Sequence, residues 1–255
     1  MGPEWAILGA TSVSLVLGAV VGLLAIRLQG IYFAMSTLAL AQMVYFYCVQ
    51  ASFTNGEDGI QGIPRGVAFG VWDLSTDLSM YYFVLLVCGA ALLAIARLVH
   101  SPFGRIVAAV RDSEPRATSL GYNVSRYKLA VFVISAGMAG LAGAVKAIAT
   151  QIASLSDVSW HMSGELLLMV LVGGLGTISG PLAGALVLIG MATYMSELRE
   201  WVTVVQGLVF VVVVLSLRAG VVGSLSGLMR RRLQAAPRVS AASLPGASAH
   251  TSGAG

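Results

Sequence analysis

The sequence predicts an all-α fold: a polytopic transmembrane helix bundle of about seven spans, amino terminus out and carboxyl terminus in. Three observations carry this. Of 255 residues, 57% are hydrophobic and only 10% charged, whereas a soluble domain carries about 25% charged residues. The mean hydropathy is +0.87, so a water-soluble chain of this length would lack the polar surface to cover itself. Several apolar runs also approach the ~20 residues that a helix needs to cross a bilayer.

In chain order, the spans are Ala6–Ile26, Gly30–Gln50, Tyr81–Val99 and Tyr127–Ala149, then the apolar stretch Glu165–Met195, and finally Trp201–Leu217. The fifth stretch is interrupted by Gly173, Gly174, Gly176, Gly180 and Pro181. It reads as two shorter spans, Glu165–Gly176 and Leu182–Met195, joined by a glycine-rich turn; the competing reading is one kinked helix with a re-entrant segment. Either way it belongs inside the bundle, because lipid cannot satisfy irregular backbone. Glu4 precedes the first span and no Lys or Arg does, a pattern unlike a cleavable signal peptide.

Charge sets the orientation. Arg97, Arg105, Arg111, Arg116, Arg126 and Lys128 crowd one loop against Asp112 and Glu114. The preceding loop, 51–79, carries Glu57, Asp58, Asp73 and Asp77 against Arg65. Lys and Arg accumulate on the cytoplasmic side, so the basic loop is inside and the acidic one outside. Alternation then puts Arg27, Arg218 and Arg230–Arg232 inside and Glu197–Glu200 outside. The expected organisation is a membrane domain over 1–218 and a cytoplasmic tail over 219–255. That tail is too poor in large apolar residues to offset its ordering entropy and is expected to be disordered. Arg230–Arg232 anchor the topology and are placed to meet anionic membrane lipid.

The loop 101–126 reads as two short surface helices. Ser101-Pro102 is a helix start with Pro in the first turn. Phe103, Ile106, Val107 and Val110 then recur at i, i+3, i+4 and i+7 as one apolar stripe. Ser113-Glu114-Pro115 starts a second helix, and Gly121 is placed to end it at C′. On the residues alone, this is either an amphipathic interfacial linker or a functional element.

In the second span, Tyr32, Ser36, Ala39, Met43, Tyr47 and Gln50 share one helical face. Polar residues at membrane depth line a wet path or mediate helix packing, and both readings stand. Lys146 reads as a snorkelling residue near a helix end, and Glu165 as a helix-start carboxylate. Gly140 and Gly143, with Ala136 and Ala144, favour close helix approach.

Other chemistries find no support. No Gly-Lys pair exists for a phosphate loop, and HExxH and GxSxG are missing. His100, His161 and His250 are far apart, and Cys48 and Cys88 are isolated in apolar runs. The expectation is therefore no catalytic residues, no metal and no cofactor. Nucleic-acid binding is set aside too, because the basic residues sit between apolar runs with little aromatic interleaving.

Three blocks, GIYFAMSTLALAQ, SPFGRIVAAVRDSEPRATSLGYNVSRYKLAVFVISAGMAGLAGA and GELLLMVLVGGLGTISGPLAGA, occur in that order, with TNGEDGIQGIP between the first two. The ordered set closely resembles LivM-type permease subunits of branched-chain amino-acid ABC importers. The resemblance implies a translocator without a nucleotide site of its own, in the bacterial plasma (inner) membrane. Its implied substrates are leucine, isoleucine and valine, with urea, short amides and other amino acids transported by similar permeases. Implied partners are ABC ATPase subunits, a second permease subunit of the H-type and an extracytoplasmic amino-acid-binding protein. It assigns ATPase coupling to Arg111, Asp112, Ser113, Glu114, Ala117 and Gly121. An amino acid crossing the membrane needs mildly polar walls, which makes Tyr32, Ser36, Met43, Tyr47 and Gln50 the translocation-path candidates. Two alternatives remain: an ion-gradient-driven transporter or channel, and a truncated, non-transporting fragment. The second arises because the family's further amino-terminal helices and their Gly-Ser-Leu-Gly-His-like element are not found before Ala6.

Overall fold

The computed structural model describes residues 2–28, 30–54, 56–68, 72–174, 179–194 and 207. Among them are the helices α1 (Pro3–Ala25), α2 (Ile31–Gln50), α3 (Asp77–His100), α4 (Pro102–Asp112), α5 (Glu114–Ser119), α6 (Val124–Thr150), α7 (Trp160–Gly173) and α8 (Gly180–Tyr194). Four of these, α1, α2, α3 and α6, are long and apolar enough to cross a membrane. At 1.5 Å per residue, the 20 to 27 residues of these helices reach roughly 30–40 Å, a bilayer core or more. Large apolar side chains stay exposed on each of them, among them Leu8 and Leu24 of α1, Met35 and Leu38 of α2, Leu86 and Leu93 of α3 and Val131 of α6, as expected of helices whose solvent is lipid. The chain is a multi-pass membrane protein. The expected span Trp201–Leu217, the charges at 197–200, Arg218, Arg230–Arg232 and the tail 219–255 lie outside the described residues.

Helix ends differ from the hydropathy boundaries for local reasons. α3 starts at Asp77, four residues before Tyr81, with Thr76 as N-cap and Asp77 in its first turn. A carboxylate there offsets the unpaired N–H groups of the helix start, yet it lowers hydropathy and hides the turn. α6 likewise starts at Val124, where the Asn123 side chain accepts the Arg126 N–H at 3.3 Å.

The all-α expectation needs correction in the loops at the acidic end. β1 (Ile60–Gln61) pairs antiparallel with β4 (Ile152–Ala153), and β2 (Val67–Ala68) with β3 (Trp72–Asp73). Two-residue strands have no periodicity to read, and β1 and β4 lie about ninety positions apart. Gly59 makes the first pairing feasible: its φ is +67°, and a Cβ there would overlap the Ala153 carbonyl.

Residues 1–165 form one compact unit. Its seam is α1 against α6, closed by small residues. A Cβ on Gly18 would overlap the Ala136 side chain, one on Gly137 would come within 2.7 Å of Leu15, and one on Gly140 would overlap Ser14. Ser14 Oγ donates to the Ala136 carbonyl at 2.6 Å. Gly143, expected in this seam, faces open space instead; three residues from Gly140, it sits beyond the contacting stripe. At one end of the seam Ile7, Leu74, Met80, Phe83, Val145 and Ile148 form a buried apolar cluster.

The unit has two chemically distinct ends. At one, Arg65 reaches Asp77 at the start of α3 (2.6 Å) and the Ala149 carbonyl at the end of α6 (3.2 Å). Ile63 N–H donates to the Gln151 carbonyl there, tying the acidic loop 51–76 to the helix ends. The other end gathers α4, α5 and the start of α6 with their arginines. The second unit begins at Leu166. It holds the part of α7 from Leu166 to Gly173, and α8; the two are separate helices, not one kinked helix, and cross closely: a Cβ on Gly173 would overlap the Gly180 carbonyl, and one on Gly184 the Met169 carbonyl.

Candidate coupling site and the cavity beneath it

The basic end is built around a tight joint. Ser101 N-caps α4, its Oγ accepting the Gly104 N–H at 3.3 Å and donating to the Leu98 carbonyl at 2.6 Å. A Cβ on Gly104 would overlap the Val99 carbonyl, so α4 leaves α3 at a turn only glycine tolerates. Sequence reading missed Gly104, which sits inside an otherwise regular helical pattern.

Phe103, Ile106 and Val107 are half-buried and Val110 is buried. Val110, Ala117 and Val124 make a small core, with Ile106 packed on it. This core joins α4, α5 and the base of α6 through one buried residue from each. The chain breaks between the helices at Ser113, whose backbone is extended (φ −161°, ψ 101°), with Pro115 following in the first turn of α5. At the far end Gly121 N–H donates to the Thr118 carbonyl and Tyr122 N–H to the Ala117 carbonyl (2.9 and 3.2 Å). With φ +86° at Gly121, this is a Schellman closure.

The six residues assigned to coupling therefore differ in kind. Arg111, Asp112 and Gly121 are exposed, and Ser113 is half-buried. Ala117 is buried, so it supports the surface from below and offers nothing to dock on. Glu114 accepts from Lys128 Nζ at 2.7 Å, an ion pair from α5 to α6 that the sequence could not reveal across fourteen positions. Tyr127 stacks against Phe103 (5.7 Å) and meets Tyr122 edge-on (6.2 Å), bracing both ends of the hairpin against α6.

Beneath the hairpin lies a cavity of about 690 Å³. Phe33, Val107, Val131 and Phe132 supply apolar wall, and Arg111, Glu114 and Lys128 the charged part. Phe33 meets Phe132 edge-on at 6.3 Å, closing α2 on α6.

Of the path candidates on α2, Tyr32, Met43, Tyr47 and Gln50 are exposed and Ser36 is half-buried. Ser36 Oγ donates to the Phe33 carbonyl of its own helix at 3.0 Å. Of the residues that interrupt the fifth apolar stretch and are expected to kink it, Gly173 and Gly180 meet as described, Pro181 stands in the first turn of α8, and Gly174 has φ +115°; Gly176 lies outside the described residues.

Two readings of ionisable residues change. Lys146 does not merely snorkel: its Nζ lies 2.6 Å from Asp157 Oδ1, a partner eleven positions away in the loop after β4. Glu165 does not sit at a helix start, since α7 begins five residues earlier at Trp160. On the acidic end, Asp73 is held below the usual carboxylate range because Ser75 donates to it from its backbone N–H and side chain. Among the described residues no group of three or more His, Cys, Asp or Glu is placed to hold a metal ion.

The family model described as "Branched-chain amino acid transport system / permease component" matches residues 1–214. The high-affinity branched-chain amino acid transport system permease protein LivM of Salmonella typhimurium is 28% identical over 218 residues, 76% of this chain and 51% of that protein. The probable branched-chain amino acid transport permease protein LivM of Methanocaldococcus jannaschii is 28% identical over 188 residues, 71% of this chain and 52% of that protein. The fructose import permease protein FruG of Bifidobacterium longum is 26% identical over 233 residues, 81% of this chain and 66% of that protein. The chain thus spans about half the length of the LivM relatives it matches. No solved structure matches it.

Proposed function

We propose, from the premise that this chain belongs to the family of branched-chain amino acid transport system permease components, that it is the membrane-spanning permease part of an ABC importer. It moves branched-chain or similar amino acids inward across the bacterial inner membrane. Energy comes from separate ATPase subunits, and an H-type permease and an extracytoplasmic amino-acid-binding protein complete the assembly. The observation that carries this reading is the α4–α5 hairpin: two short capped helices fixed to the base of α6 by an apolar core and an ion pair. A capped helix locked to a spanning helix transmits a push as a rigid body, which a flexible loop does not.

In this proposal the domain runs over 1–218 with seven crossings, the basic end faces the cytoplasm, and 219–255 is a cytoplasmic tail. Arg111, Asp112, Ser113, Glu114 and Gly121 form or shape the docking surface for the ATPase, with Ala117 as its support. Tyr32, Ser36, Met43, Tyr47 and Gln50 line the translocation path, and the glycines between α7 and α8 with Pro181 let those segments rock. The exposure of the polar α2 face supports its part. Substrate choice belongs to the binding protein, and the likeness to a fructose permease fits a membrane part that is not narrowly selective.

The test is uptake of radiolabelled leucine into proteoliposomes holding this chain with its ATPase, H-type permease and binding-protein partners. ATP-dependent accumulation is expected. Uptake that persists without ATPase subunits and collapses with the proton gradient would instead establish the ion-driven reading.

A further inference from the structure

The cavity under the hairpin shares Arg111 and Glu114 with the proposed coupling surface, but most of its wall serves neither coupling nor translocation. Its walls are aliphatic and aromatic, from Phe33 in the first turn of α2 to Val131 and Phe132 in α6. Along α6 the lining runs from Tyr127 to Ser135, about 12 Å at the helical rise. At 690 Å³ it falls within the roughly 300–1,000 Å³ of sites that hold organic ligands. Water in such a space would find few partners along apolar walls.

Its charge is unbalanced. Lys128 is matched by Glu114 at 2.7 Å, whereas Arg111 has no ion pair or hydrogen bond among the described residues and is exposed. Tyr127 and Ser135 also line the cavity, and neither hydroxyl makes a hydrogen bond among the described residues. One net positive charge therefore stands over an apolar slot, at the depth where spanning helices meet surface helices. An occupant with an anionic head and a hydrocarbon tail satisfies both halves, and a small anion would leave the walls unfilled.

We infer that this cavity binds one anionic phospholipid, its phosphate against Arg111 and Lys128 and an acyl chain between α2 and α6. Basic recesses between membrane helices are suited to such headgroups. The inference requires only that the helices span a bilayer and does not depend on the transport reading. The bound lipid fills the space beneath the hairpin, beside the core that fixes α4 and α5 to α6.

Native mass spectrometry of the full chain, released from mixed micelles holding equal phosphatidylglycerol and phosphatidylcholine, tests this. One phosphatidylglycerol retained in preference to phosphatidylcholine is expected. R111Q should lower that preference about fivefold, R111K should keep most of it, and V131W, which fills the slot, should lower retention of both lipids. S135F, on the exposed flank of the slot, replaces V131W if that variant does not fold. Equal retention of the two lipids would overturn the inference, as would a preference unmoved by R111Q and by the filling variant. Displacement of the lipid by millimolar inorganic phosphate would mark a small-anion site, and loss of all lipid on co-assembly with the second permease would mark a protein interface; either overturns it.

Discussion

Gly121 keeps φ at +86° while a Cβ there would meet nothing within 4 Å, so its constraint is conformational and not steric. Left-handed backbone costs an ordinary L-residue roughly 1–2 kcal/mol. Replacement by Asn should be tolerated, by Ala should weaken coupling, and by Val should uncouple ATP hydrolysis from uptake while membrane insertion stays intact. The three variants ranked by ATPase rate per leucine transported give the check, and unchanged coupling in G121V would sink the role assigned to it. Glu114 and Lys128 are both about 40% exposed, so their pair contributes only ~0.2–1 kcal/mol to stability; its value is positional. K128E should therefore cut uptake well beyond any change in melting temperature, and the double swap E114K/K128E should recover most of it. At the acidic end Asp73 holds its proton less tightly than an ordinary carboxylate. A depressed carboxylate stabilises the fold above its unfolded value, near pH 4, and loses that contribution as pH falls through its lower folded value. The protection factor of the Ser75 amide, which donates to Asp73, should stay flat from pH 7 to about 4 once intrinsic exchange is divided out and fall only below, and D73N should remove that acid dependence.

Between elements, contact is made by what side chains leave out. The α1–α6 seam depends on Gly18, Gly137 and Gly140, where any Cβ would strike the facing helix. G137L and G140L should each cost about 1–3 kcal/mol by overpacking, and G143L should be neutral because that position faces open space. Thermal unfolding in detergent separates the two groups, and equal shifts at all three positions would contradict this packing. From the sequence, Gly140 and Gly143 were equivalent members of one motif. What distinguishes them is the crossing geometry of a partner helix more than a hundred positions away. The amphipathic stripe of α4 was readable because its period and its caps are local. Gly104 was not, since its necessity comes from the Val99 carbonyl of the preceding helix folding back onto it. The Lys146–Asp157 and Glu114–Lys128 pairs were hidden for the same reason: a charge carries no label for its partner when both sit in different elements.

Across residues 1–165, one end is mainly acidic, with Asp58, Asp73, Asp77 and Asp157 against Arg65 and Lys146, and the other mainly basic, with Arg27, Arg105, Arg111, Arg116 and Lys128 against Asp112 and Glu114. Single cysteines at Asp58 and Arg105, in a background lacking Cys48 and Cys88, should label from opposite faces of intact cells, Asp58 from outside. Labelling of both from one face would overturn the proposed orientation. A multi-pass membrane protein, its four long helices and a capped amphipathic hairpin were legible in the sequence alone. Each follows from composition or short-range periodicity, which fold back on nothing distant. Tertiary structure decided which glycines form the α1–α6 seam, that Ala117 is buried, and that β1 pairs with β4. It also left a partly open, mostly apolar cavity lined by Arg111 and Lys128 beneath the hairpin. Those depend on which atoms meet across tens of residues, and hydropathy has no term for that.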